Sequence, residues 1–125
     1  MVETIQEVFQ EKNYPSDFLA LLENFIYEFD ELFSKYVPKE ELITRIKNNV
    51  DLFEWCKFKG SKNGEYVPNQ KAIRLLPGMG EEETKKTIFH ELLHSIVSDD
   101  LSSGIRRVYQ SEDFPEDKFE LRSRI

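Results

Sequence analysis

The residues with the most specific chemistry in this chain are His90, Glu91 and His94, which spell His-Glu-Leu-Leu-His, an H-E-x-x-H pattern. They include both of the chain's histidines. At about 100° per residue on a helix, Ile88, Phe89, Leu92, Leu93 and Ile96 gather into one apolar sector. His90 and His94 fall together on the far side, with Glu91 beside them. Imidazoles four residues apart can reach one tetrahedral metal ion, at about 2.0–2.1 Å for zinc. Glu91 then borders the open coordination position, placed to take a proton from water there and pass it to a leaving amine. The competing reading is a surface helix with two solvated histidines.

The pattern, on an amphipathic helix and preceded by an apolar strand at 72–76, resembles the zincin metallopeptidases. With no third histidine available, the resemblance is to the gluzincin type, in which a later carboxylate completes the zinc site. The candidates are Glu112, Asp113, Glu116 and Glu120. Glu116 and Glu120 share a face of a predicted C-terminal helix over 115–122. The compact ImmA/IrrE-like branch is similar over about residues 65–120 and implies Glu120 as the third ligand. It also implies a protein substrate. Zincins use a Tyr, His or Arg donor for the oxyanion that develops during attack on a carbonyl, which makes Tyr109 or Arg106 the candidates.

The elements that must position these groups can be read in order. Residues 1–12 predict a short amphipathic helix through Val2, Ile5, Val8 and Phe9. Pro15 breaks it, and Ser16 or Asp17 is the expected cap of a long helix over 17–36. Phe18, Leu22, Phe25, Phe29, Leu32 and Tyr36 form its apolar stripe, widened by Leu21, Ile26 and Phe33. So wide a stripe predicts a core-spanning element, with an aromatic ligand box as the alternative. After Pro38 a third helix is expected to about Asn48, with Leu42, Ile43 and Ile46 inward. Three strands follow, at 51–58, 65–67 and 71–76, with Asn63-Gly64 as hairpin chemistry between the first two. They predict a small antiparallel sheet whose last strand offers an edge to an extended peptide. Pro77-Gly78-Met79-Gly80 ends it. Glu81, Glu82 and Glu83 open the metal helix at 81–98, where carboxylates suit the positive end of the dipole.

Composition narrows the function classes. The expectation is one α+β domain over residues 1–125, with a helical layer at 1–50, the sheet at 51–76, the metal helix, and a C-terminal segment at 99–125. One cysteine, Cys56, excludes an internal disulfide and fits a reducing compartment, as a small buried hydrophobe. The formal net charge is −7, which argues against nucleic acid as a partner. No signal peptide or membrane span is legible, so the expected location is cytoplasmic. The expected activity is zinc-dependent peptide-bond hydrolysis, with Zn2+ as cofactor and a peptide or protein as substrate. Its rivals are a non-catalytic zincin-like binding domain and an N-terminal piece of a larger peptidase. Oligomeric state is left open.

Overall fold

A computed structural model describes residues 4–97 of the 125-residue chain. The expected α+β class holds. In order come α1 (Ile5–Val8), a 3-10 turn (Gln10–Lys12), α2 (Ser16–Phe33), α3 (Lys39–Asn49), β1 (Leu52–Trp55), β2 (Gly64–Val67), β3 (Ala72–Leu75) and α4 (Glu81–Ile96). The segment at 99–125, with Arg106, Tyr109, Glu112, Asp113, Glu116 and Glu120, lies outside the described residues.

The long helix is shorter than expected at its C-terminal end. It closes at Phe33, where Ser34 donates its N–H to the Asp30 carbonyl, and Tyr36 sits half-buried beyond it. Its stripe is core, as the periodicity predicts: Phe18, Leu22, Phe25, Phe29 and Phe33 are buried. Its cap differs. Pro15 occupies the N-cap position, and Asp17 instead accepts hydrogen bonds from the Phe18 N–H and, at 2.8 Å, from the Trp55 indole. Phe18 stacks on Phe53 of β1 at 5.2 Å, and Phe25 meets Phe89 of α4 edge-on at 4.9 Å. Aromatic contacts thus join α2 both to the sheet and to α4.

The sheet is mixed, not antiparallel. Its order is β1-β3-β2, with β1 parallel to β3 and β2 antiparallel to it. The Asn63-Gly64 dipeptide does not turn a hairpin between the first two strands. Residues 56–63 carry the chain past the end of β3, where Asn63 accepts from the Leu76 N–H. The hairpin is the next connection, between β2 and β3, where Lys71 takes the left-handed conformation at φ 50°. Consequently β3 is the central strand and presents no edge; among the described residues the edge strands are β1 and β2. On the solvent side Arg74 of β3 pairs with Glu54 of β1 and, at 3.1 Å, with Glu65 of β2. One guanidinium therefore ties all three strands across their register.

Helix α4 is enclosed rather than lying on a surface. It packs on α2 and α3 on one side and on β2 and β3 on the other. Thr84, Thr87, His90, Glu91 and Ser95 are buried together with its apolar sector. Arg45 of α3 donates to the Ile96 carbonyl at 3.2 Å, closing the C-terminal end with a cation. Cys56 is half-buried instead of buried, its thiol donating to the Lys57 carbonyl. No helix among the described residues is long and apolar enough to cross a membrane.

Candidate metal centre

One turn of α4 sets the distance between the two imidazoles. The Nε2 atoms of His90 and His94 lie 2.8 Å apart, with the ring planes at 88° and the centroids 4.4 Å apart. Both nitrogens converge on one point, with Glu91 beside them. One ligand atom from each of the three residues falls within 4.8 Å of the other two. Among the described residues this is the one group of three or more His, Cys, Asp or Glu side chains that could hold a metal ion. His90 and Glu91 are buried and His94 is exposed, so the pair runs from the interior to the surface.

The donor set fits a first-row transition ion. Tetrahedral ligands at zinc distances would place the two nitrogens about 3.4 Å apart, a separation reached from 2.8 Å by a small side-chain rotation. Paired imidazoles suit zinc, copper, nickel or iron better than the all-oxygen cages that calcium and magnesium take. The pair also stands in the second half of α4, toward the negative end of its dipole, where positive charge is favoured.

No family model, curated protein or solved structure matches this chain. The reading of the site therefore stands on its own residues.

These open onto a cleft of about 860 Å3, bounded by α4 on one side and by residues 61–66 and Pro68 on the other. Its second wall is β2, which periodicity had not assigned to the site. Gly64 is what lets that strand approach. A Cβ there would sit 2.7 Å from the Thr87 methyl of α4 and 3.2 Å from the Arg74 carbonyl. The Thr87 hydroxyl donates to the Glu83 carbonyl at 2.8 Å, which fixes the side chain that Gly64 must clear. Tyr66, also on this wall, donates its hydroxyl to the Asn49 carbonyl at 2.9 Å. Burial, and then the negative charge of Asp51, push its phenol above the ordinary value. The carboxyl of Glu65 is held below its ordinary value by Lys62, then by Arg74.

His90, Glu91 and His94 are thus brought together. Tyr109, Glu120 and the alternative ligands Glu116, Asp113 and Glu112 lie outside the described residues. The sequence reading missed Gly64, Tyr66, Lys62 and Lys86 as cleft residues. Only Lys86 had a legible signal, since it precedes His90 by one helical turn.

Proposed function

We propose that this chain is a zinc-dependent peptidase. The observation that carries the reading is the convergence of the His90 and His94 Nε2 atoms, 2.8 Å apart, beside buried Glu91 on the wall of an open cleft. His90 and His94 hold the ion, and Glu120 is the favoured third ligand, ahead of Glu116, Asp113 and Glu112. Zinc held by these residues would supply Lewis-acid chemistry, polarising a carbonyl and acidifying a water. Glu91 supplies what the ion does not. Its carboxylate takes the proton from the attacking water and returns it to the amine as the peptide bond breaks. Tyr109 remains the proposed donor to the developing oxyanion.

Among the described residues β2 is an edge strand, and its residues line the cleft, so an extended peptide adding to it would pass the histidine pair. This moves the expected recognition edge from β3 to β2. The substrate is accordingly a peptide or an extended protein segment, and a cytoplasmic setting fits the single unpaired cysteine.

Glu91→Gln separates catalysis from metal binding, because the amide keeps the shape and loses the basic oxygen. Turnover of a peptide substrate is expected to fall at least about 100-fold, as general acid–base catalysis contributes on that order. Zinc content measured on the same preparation is expected to stay unchanged. Undiminished turnover in the variant would remove Glu91 from the chemistry. A wild-type chain that binds zinc and cleaves no peptide would favour the non-catalytic binding domain.

A further inference from the structure

The cleft wall opposite α4 is β2, and its alternation sorts what each of its residues can do. Asn63 accepts from the Leu76 N–H, and the register pairs Glu65 with Arg74 and Val67 with Ala72. Hydrogen-bonded pairs in an antiparallel ladder come at every second residue, so Asn63, Glu65 and Val67 turn their backbone groups toward β3. The N–H and C=O groups of Gly64 and Tyr66 point the other way, to the side that carries no further strand among the described residues. These are the groups that an added peptide strand would meet.

On their other side the same two residues face the helices. Tyr66 stands opposite Ile73 and Gly64 opposite Leu75, both buried in the core, and paired residues share a face of the sheet. At Gly64 the missing side chain admits the Thr87 methyl of α4. Two residues along, about 7 Å at the rise of a strand, the Tyr66 hydroxyl donates to the Asn49 carbonyl at 2.9 Å, at the last residue of α3. Helix α3 in turn holds α4, through Arg45 and the Ile96 carbonyl at 3.2 Å. The hydroxyl therefore joins the strand that would pair with a peptide to the helices that position the histidines. A tyrosine has only two side-chain torsions, so fixing its tip fixes the backbone behind it. The next carbonyl, that of Val50, is held in the same manner by Tyr14, which is not among the residues lining the cleft.

We propose that Tyr66 is a positioning residue for the peptidase reaction. Anchored on Asn49, it orients its own N–H and C=O to hold the backbone of an extended peptide beside His90, Glu91 and His94. This rests on the peptidase reading and adds the group that aligns its substrate.

The test uses the zinc-loaded full chain and a quenched-fluorescent peptide that it cuts, taken from a mixed-sequence library. Tyr66→Phe is expected to raise KM about fivefold, the worth of one hydrogen bond, with kcat and zinc content little changed. Tyr14→Phe removes the matching hydrogen bond on the adjacent carbonyl and so controls for lost stability; its KM is expected to match that of the wild type. Methylating the backbone amides of the peptide one at a time is expected to raise KM at alternate residues, and to do so by less in Tyr66→Phe. An unchanged KM in Tyr66→Phe, an equal rise in Tyr14→Phe, or methylation effects as large in Tyr66→Phe as in the wild type would overturn the inference and leave the peptidase reading standing. Wild-type chain that cuts no peptide of the library would overturn both.

Discussion

At 2.8 Å the Nε2 atoms of His90 and His94 can share one proton but not two, since both nitrogens would then be donors. One hydrogen bond therefore links the two rings, one nitrogen donating and the other accepting. The phenol of Tyr14 makes a different use of its proton. It is buried against Phe9 and Phe53, and its hydroxyl donates to the Val50 carbonyl where α3 gives way to β1. Burial, then the charges of Asp51 and Glu11, raise its pKa well above the ordinary 10. A group whose pKa is raised by folding contributes stability in full below its unfolded value and loses it as pH rises toward the folded one. Stability is therefore expected to fall above about pH 10, with Tyr66 adding to the same limb. Tyr14→Phe should flatten that limb and cost about 1 kcal/mol at neutral pH, as urea titrations at a series of pH values would read. An alkaline limb of unchanged slope in the variant would show that Tyr14 is not its source.

At the scale of elements, the close pairing of β2 with α4 depends on a position that has no side chain. Gly64→Ala places a methyl 2.7 Å from the Thr87 Cγ2, and overpacking of this kind costs about 1–3 kcal/mol. Thr87→Ser removes that methyl while keeping the hydroxyl that donates to Glu83. The double variant should therefore recover much of the loss, which a denaturation cycle measures as a coupling between the two sites. Strict additivity would mean that the two residues do not meet. Gly64 also shows what was legible and what was not. Asn63-Gly64 carries a strong local turn signal, but here the glycine serves a long-range contact, and nothing local distinguishes the two uses. The parallel pairing of β1 with β3 was hidden for a similar reason. Four-residue strands carry their own alternation but no record of their neighbour's direction. The helices were legible because Phe18, Leu22, Phe25 and Phe29 repeat at the helical period over several turns. Their ends were less so, because Pro15 took the cap position expected of Ser16 or Asp17.

For the whole molecule, α4 is held by the aromatic layer of α2 with α3 and by β2 and β3. Such enclosure fixes the backbone from which both histidines project, and so sets the precision of the site. His90, Glu91 and His94 were legible from spacing alone, because one helical turn determines their geometry. The cleft wall was not, because it arrives from a strand far away in the sequence. Competition titration with a chromophoric chelator measures whether this enclosed helix holds one zinc ion through His90 and His94, as proposed. One tightly bound zinc per wild-type chain is expected, with that binding lost in His94→Ala. Glu120→Ala run beside them assigns the third ligand: weakened binding places it at Glu120, and unchanged binding moves it to Glu116, Asp113 or Glu112. Wild-type chain that binds no zinc, or His94→Ala that binds it equally well, would overturn the proposed metal centre.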